Sequence, residues 1–523
     1  MPVLQFSNIN HQFGNGELLF EHISCSMKKQ RVGLVGRNGV GKSVLASILV
    51  GEITPSIGTV TVPCSCAIYR QQRSDVFATD LTIAQFLGKQ SVLEALKQIE
   101  AGAYSEALFE LVGEAWDLSI RLKQQLVAMG LPQDPDFPCA KLSGGQLARL
   151  QLWQLFESDI QLLILDEPSN HLDTDSKQWL VDSIRAFKGA LLLISHDREL
   201  LREVDEIWEL SNLGLQVFGG NYDFYLEQKQ LERLAVERQI AHVDKQQKQL
   251  QQHAQRSREK AEQRASHGRR LRKEGSQPKI LMDAKKESAT ARASNRNKNE
   301  QLRLSHLEQK ERVLLSRQEQ LKSQKLYLTS TPSRSKRVVS ICDGVLPFGR
   351  HAPLTLKVSA NDKVHLIGKN GCGKSTLLKV LQGKVELLQG ELHINTTLYY
   401  LDQHFGVVHS HLSMLDNLMQ CCEGLTESDA RTLLAGIGFR RDNVFRAGSV
   451  LSGGEKMKLA MLIVSHQSSQ PLLLLDEPDN HLDLESKIML AQALDSYQGG
   501  FILVSHDQSF ALESGISHQI DLD

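Results

Sequence analysis

The chain repeats itself, and the repeat limits its fold to two copies of one domain and whatever joins them. Gly36, Arg37, Asn38, Gly39, Val40, Gly41, Lys42, Ser43 and Val44 recur as Gly368, Lys369, Asn370, Gly371, Cys372, Gly373, Lys374, Ser375 and Thr376. Tyr69-Arg-Gln-Gln72 recurs as Tyr400-Leu-Asp-Gln403. Leu142, Ser143, Gly144, Gly145 and Gln146 recur as Leu451, Ser452, Gly453, Gly454 and Glu455. The run Leu165-Asp166-Glu167-Pro-Ser-Asn-His-Leu-Asp173 recurs as Leu475-Asp476-Glu477-Pro-Asp-Asn-His-Leu-Asp483, and Ser195-His196-Asp197 as Ser505-His506-Asp507. The two lysines lie 332 residues apart, but the two serines lie 309 apart. The first copy therefore holds about 22 more residues than the second, and the offsets put them between Gln72 and Ser143.

Within each copy, short apolar runs alternate with helical patterns. Arg31–Val35 and Lys363–Ile367 read as strands entering glycine-rich turns. Leu162–Leu165, Leu472–Leu475, Ala190–Ile194 and Phe501–Val504 read as buried parallel strands. The expected fold class is α/β, with two P-loop domains of mostly parallel sheet at 1–225 and 338–523. A short insertion is expected at about 85–120, with helix-like Val92–Trp116.

GxxxxGKS after a strand is a phosphate-binding loop. Its glycines let backbone N–H groups face the phosphates, and the helix that follows points its positive end at them. Lys42 and Lys374 are expected to reach the β- and γ-phosphates, and Ser43 and Ser375 to hold Mg²⁺. A single match also fits a plain glycine turn, but two matches in the same context favour nucleotide. Asp166 and Asp476 end apolar strands and are expected to bind Mg²⁺ through water. Glu167 and Glu477 follow them, placed to polarise an attacking water. His196 and His506 read either as γ-phosphate contacts or as capping or core histidines. Their Ser-His-Asp spelling is not a hydrolase triad, since triads are assembled from residues distant in sequence. Ser143–Gln146 and Ser452–Glu455 open helices, as anion sites or as ordinary N-caps.

Phosphate loop, Gln, LSGGQ, Asp-Glu and His, in that order and twice, resemble ATP-binding cassette domains. The resemblance covers both copies. It implies that two cassettes pack head to tail, each ATP lying between one phosphate loop and the other signature. One site then joins Gly36–Ser43 to Ser452–Glu455, and the other joins Gly368–Thr376 to Ser143–Gln146. The resemblance adds Gln72 and Gln403 to the metal ligands, and Phe13 and Phe348 as aromatics stacking on adenine. Val44 in place of Thr376 leaves the metal ligand Ser43 untouched. Asp479 replaces Ser169 and brings an extra carboxylate near the expected dimer contact. Glu455 in place of Gln146 is expected to be tolerated, and both sites are expected to hydrolyse ATP.

Residues 226–337 join the copies. They carry 28 Lys and Arg against 13 Asp and Glu, while the whole chain has a net charge of −1. Leu226–Ala265 and Glu300–Leu326 are rich in helix formers, and Gly268, Gly275 and Pro278 between them are expected to break the helix. An antiparallel hairpin follows, with a thin seam of Leu231, Leu234, Ile240 and Leu250 against Leu304, Leu307, Val313, Leu314 and Leu321. Arg269, Arg270, Arg272 and Lys273 crowd its turn, an electrostatic footprint for phosphate backbones. The alternative is a solvated or disordered linker. No aromatic lies between Tyr225 and Tyr327, so shape and backbone readout is expected rather than base stacking.

A fused pair with such a linker resembles the ABC-F subfamily. Gly220-Asn-Tyr222-Asp-Phe-Tyr225, and Gly275-Ser-Gln-Pro-Lys279 with Ala284-Lys-Lys286, carry the same resemblance. It implies a cytoplasmic ATPase, acting as a monomeric chain with an intramolecular cassette dimer. The implied partner is the ribosome, with the linker reaching towards tRNA and ribosomal RNA and acting as housekeeping factor or in antibiotic resistance. The insertion sits where that subfamily carries an arm, here a short one. The rivals are an ATPase on branched DNA and a transporter's ATPase subunit. No apolar run approaches the roughly 20 residues of a membrane span. The opening MPVLQFSNIN does not read as a signal peptide, and the cysteines lack zinc or redox spacing. The chain stops 17 residues after His506, so the C-terminal coiled coil that some relatives use on DNA is expected to be absent.

Overall fold

The computed structural model describes residues 3–523 apart from 14, 15, 17, 64, 71–80, 171, 274–297, 300, 316–337, 403, 404, 423 and 468–470. Two compact units result, Met1–Asp223 with Gln324–Asp523, and Phe224–Ser323. No helix among the described residues is long and apolar enough to cross a membrane.

The first unit contains both cassettes. The first cassette's main sheet has six strands, in the order Cys66–Arg70, Leu162–Asp166, Ala190–Ile194, Arg31–Val35, Glu206–Ser211 and Gly214–Gly219. All neighbours are parallel except the last pair. The second cassette's sheet has five strands, all parallel, in the order Leu398–Leu401, Leu472–Asp476, Phe501–Val504, Lys363–Ile367 and His518–Asp521. Leu162–Leu165, Ala190–Ile194, Leu472–Leu475 and Phe501–Val504 are apolar throughout, as strands buried on both faces require. Each cassette adds a three-stranded antiparallel sheet, Leu18–Met27, Leu4–Gln12 and Ile57–Thr61 in the first, and Leu354–Val358, Val339–Val345 and Gln389–Ile394 in the second.

One core in each cassette joins this antiparallel sheet to the parallel one around the loop helix, as with Phe6, Leu45, Ile164 and Trp208. A separate core holds the helices that lead to the signature, with Leu93, Leu122, Leu150 and Trp153 in the first cassette. Helices Gln90–Glu100, Glu106–Val112 and Leu118–Ala128 occupy the longer first copy, against Met414–Cys421 and Glu427–Gly436 in the second. The continuous helix expected over Val92–Trp116 is therefore broken. Gly102 takes φ 93° just past the end of Gln90–Glu100, the position at which glycine ends a helix.

The second unit is helical. One helix runs Tyr222–Lys273, 52 residues, and a second arm is helical over 301–315. Gly268, expected to break the first arm, lies inside it. An isolated glycine costs a helix only about 1 kcal/mol, and the Arg, Lys and Leu around it are good formers. The expected turn at Gly275 and Pro278 lies outside the described residues.

The seam also differs from expectation. Leu231, Leu234 and Val313 are exposed, whereas Val236, Val243, Ala254 and Leu314 are buried. Burial along the first arm falls at Val236, Ile240, Val243, Gln247, Leu250 and Ala254, and along the second at Leu304, Leu307, Glu311 and Leu314. Those are alternating steps of four and three, the heptad spacing of packed helices. The seam carries one polar pair, Gln247 Nε2 donating to Glu311 Oε2 at 2.6 Å.

Candidate functional site

Each loop leaves a central parallel strand and enters a helix, Lys42–Leu49 or Lys374–Leu381. The N-cap of each is a left-handed glycine, Gly41 at φ 100° and Gly373 at φ 109°. A side chain there would strain the backbone that aims the N–H groups inward. Lys42 Nζ donates to the carbonyls of Gly36 at 2.8 Å and Arg37 at 3.1 Å. Lys374 Nζ does the same to Gly368 at 2.6 Å and Lys369 at 2.9 Å. Each ammonium thus sits inside its own loop, a positive centre ringed by backbone. Burial lowers the Lys42 pKa, against the pull of Glu167, Asp483 and Asp166.

Asp166 lies at the mouth of its strand, hydrogen-bonded to Ser43, and burial raises its pKa. Asp476 is also raised by burial; its Oδ1 takes a hydrogen bond from Ser375 Oγ at 3.3 Å. A buried carboxylate beside a hydroxyl is a set of hard oxygen donors, and it fits a divalent cation such as Mg²⁺. Gln72 and Gln403 lie outside the described residues. Two neighbours escape a reading of motifs alone. Tyr400 donates its hydroxyl to Asp476 Oδ2 at 3.0 Å, while Arg70 draws the Asp166 pKa down. The difference is one of register. Tyr69 lies opposite Leu165, but Tyr400 lies opposite Leu474, and a slip of one residue turns a side chain to the other face.

Glu167 and Glu477 each hold φ 49°, a left-handed backbone on a residue that has a Cβ. Their N–H groups donate to Ile194 and Val504, both at 2.9 Å, which locks the turn. Each carboxylate then meets the histidine of its own cassette. His196 Nε2 is 3.5 Å from Glu167 Oε1, and His506 Nε2 is 3.5 Å from Glu477 Oε1. Burial pushes the Glu167 pKa up to about 7, opposed by Lys42 and Lys487 and reinforced by Asp166. Burial also holds His196 well below its ordinary value, so it stays neutral. Glu167 Oε1, His196 Nδ1 and Nε2, and His506 Nε2 are buried with no hydrogen-bond partner among the described residues. Glu167 Oε1 and His196 Nε2 are two such atoms 3.5 Å apart, and a γ-phosphate or a water is what such a pair can hold.

Ser143 and Ser452 are N-caps of the signature helices. Each forms a reciprocal capping box, Ser143 with Gln146 and Ser452 with Glu455. Glu455 also takes Arg446 Nη1 at 2.6 Å, and burial, which would raise its pKa, loses to that guanidinium and the Ser452 bonds. The negative charge that Gln146 lacks is thereby matched.

The signatures are tied to the opposite loops through the helix that follows each Asp-Glu strand. Asn38 N donates to Asp483 Oδ2 at 3.1 Å, Asn38 Nδ2 to the His481 carbonyl at 2.6 Å, and Arg37 Nε to Glu485 Oε2 at 2.9 Å. His481 and Ser486 in turn pack on Gly453 and Gly454. In the other half, Asn370 N bonds Asp173, Asp173 meets Arg149 Nη2 of the first signature helix at 3.3 Å, and Lys369 Nζ lies 3.7 Å from Asp175. Each composite site therefore draws on both cassettes. Phe13 and Phe348 are exposed, with rings free to stack. Phe348 stands beside its loop, since Arg350 N donates to the Cys372 carbonyl at 2.9 Å. Phe13 is linked less directly, stacking edge-on with His11, which leans on Phe20 beside Gly41.

A family model described as ABC transporter matches residues 20–170 and 352–480. The chain is 30% identical to a putative ATP-binding protein, YdiF, of Bacillus subtilis, with 98% of this chain and 78% of that protein aligned. It is 28% identical to ABC transporter F family member 5 of Arabidopsis thaliana, covering 97% of this chain and 73% of that one. Among solved structures it is similar to that of archaeal ribosomal stalk protein aP1 with archaeal ribosome recycling factor aABCE1, at a TM-score of 0.56 and 15% identity, over 98% of this chain and 87% of that one.

Proposed function

Because this chain belongs to the ATP-binding cassette family, in its tandem ABC-F type, and is an ATPase, we propose that it uses ATP to clamp on the ribosome. Gly36–Ser43 with Ser452–Glu455, and Gly368–Thr376 with Ser143–Gln146, bind one ATP each, with Phe13 and Phe348 against the adenines. Lys42 and Lys374 bind the phosphates. Ser43, Asp166 and Gln72, and Ser375, Asp476 and Gln403, hold Mg²⁺, which when bound offsets phosphate charge. Glu167 and Glu477 take a proton from the attacking water, and His196 and His506 contact the γ-phosphate. Nucleotide binding closes the cassettes across the Asn38–Asp483 and Asn370–Asp173 contacts, and hydrolysis opens them.

The observation that carries the ribosomal half of this reading is the basic two-arm insert between the cassettes. Lys245, Lys248, Arg256, Lys260 and Arg270 are exposed on its first arm. A surplus of positive charge without aromatics suits the phosphate backbone of folded RNA near the tRNA exit site. The cytoplasm is the compartment this requires. The test is a chain carrying Glu167→Gln and Glu477→Gln. In ATP it is expected to sediment with ribosomes, and it should prefer them to branched DNA at equal salt. A double variant that stays free of ribosomes in ATP overturns the reading.

A further inference from the structure

Lys177 and Lys487 occupy matching places, one turn into the helices that start at Thr174 and Leu484, and both are buried. A buried ammonium persists only when paired. Each finds the aspartate after its own cassette's histidine, Lys177 with Asp197 at 2.8 Å and Lys487 with Asp507 at 3.3 Å. There the symmetry ends. Lys177 Nζ also crosses the interface and donates to the backbone carbonyl of His506 at 3.2 Å. No bond from Lys487 to His196 exists among the described residues. Lys487 faces Asp479 instead, at 3.9 Å, where the first cassette has Ser169. Asp479 is buried and hydrogen-bonded to Ser505, and its Oδ1 has no hydrogen-bond partner among the described residues.

We propose that Lys177 is a positioning residue for ATP hydrolysis, which ties the first cassette to His506 and makes the two ATP sites inequivalent. The helix that bears it already reads the same composite site, since its N-cap Asp173 bonds the Asn370 N–H of that loop. A charge-assisted bond to a buried carbonyl is a stiff one. It fixes the peptide of His506, hence the imidazole 3.5 Å from Glu477. When the cassettes part, His506 loses this bond, whereas among the described residues no matching bond to the His196 carbonyl exists to be lost. Asp479 produces the difference: it shares Lys487 with Asp507, and although the Lys487 charge is felt by Asp197 and Glu167, its Nζ makes no bond to the His196 carbonyl among the described residues.

The inference rests on Glu167 and Glu477 as the two bases, so that assignment is tested separately. The single variants E167Q and E477Q must each retain turnover while the double variant loses it. If the double variant still turns over, the base assignment fails. Lys177→Met is then placed in each single background. With E167Q, where Glu477 alone works, kcat is expected to fall about ten-fold with KM little changed, and Lys177→Arg to restore most of it. With E477Q the loss is expected to stay under about two-fold. Equal losses in both backgrounds, or none in either, overturn the proposal. Should Lys177→Met fail to fold, Asp479→Ser decides. It frees Lys487 to cross towards His196, and the ratio of the two sites' rates is expected to move towards one. An unchanged ratio overturns the proposal.

Discussion

Glu455 sits at a helix N-terminus, where a phosphate is expected and a carboxylate is a poor neighbour for it. Arg446 removes that conflict by a bidentate contact, at 2.6 and 3.3 Å. Arg446→Met is therefore expected to lower ATPase turnover several-fold at the site that Glu455 serves, and adding Glu455→Gln should recover it. Steady-state rates of the single and double variants check this. The two loop glycines differ in another way. A Cβ on Gly36 would run into the Leu210 carbonyl, whereas one on Gly39 meets open space, although both hold positive φ. Gly39→Ala should cost about 1 kcal/mol of stability and Gly36→Ala clearly more, read from denaturant midpoints. Asp197 supplies a pH dependence. Burial would raise its pKa, but Lys177 and Lys487 bring it down to about 2, below the ordinary 3.8. Its stabilisation is thus complete above about pH 4 and is lost as the pH falls towards 2. Asp197→Asn is expected to flatten the stability curve across that window, measured by thermal melts at stepped pH. The loop glycines were legible in the sequence because their backbone demands that residue type, and the carboxylates and histidines because each recurs at the same place in both copies. Tyr400 and Arg70 were not, because a strand register decides which side chain meets the aspartate, and no motif encodes it.

At the scale of elements, Leu162–Asp166, Ala190–Ile194, Leu472–Asp476 and Phe501–Val504 stand where their apolar runs predict, since a strand covered on both faces is mostly apolar. The insert shows the opposite case. Ile240, Leu250, Leu304, Leu307 and Leu314 lie in the expected seam, but the four-three spacing runs on through Val236 and Val243, and the larger side chains at 231 and 234 are exposed. Hydrophobicity alone does not set the phase of a helix; packing against a partner does. Val243→Asp is expected to separate the arms, seen as faster amide exchange over 222–257 and 301–315. Replacing Gln247 and Glu311 together with leucine should slow that exchange, at the expense of a defined register, since the polar pair specifies it.

Across the whole molecule, the duplication told which segments meet but not how. Asn38 to Asp483 and Asn370 to Asp173 are mirror contacts that two sequence repeats can only imply. The Asp479 substitution was visible in the sequence as an asymmetry, but its effect on Lys487 depends on two cassettes packed face to face. Charge is segregated too, with the insert basic and the rest of the chain acidic. Binding to ribosomes is therefore expected to weaken steeply with salt. Changing Arg256 and Lys260 to glutamine should lower the slope of log K against log salt by up to about 2, measured by sedimentation across a salt series.

Glu167 and Glu477 both stand where the backbone would prefer glycine. Holding a β-carbon in that conformation costs on the order of 1 kcal/mol at each position. Selection for thermal endurance alone would favour glycine at both, leaving a sturdier protein that, on the proposed role of these carboxylates, is expected to hold nucleotide without hydrolysing it. The chain carries that strain at its two most exacting positions, in a pair, and so its own rigidity is limited by what it has to release.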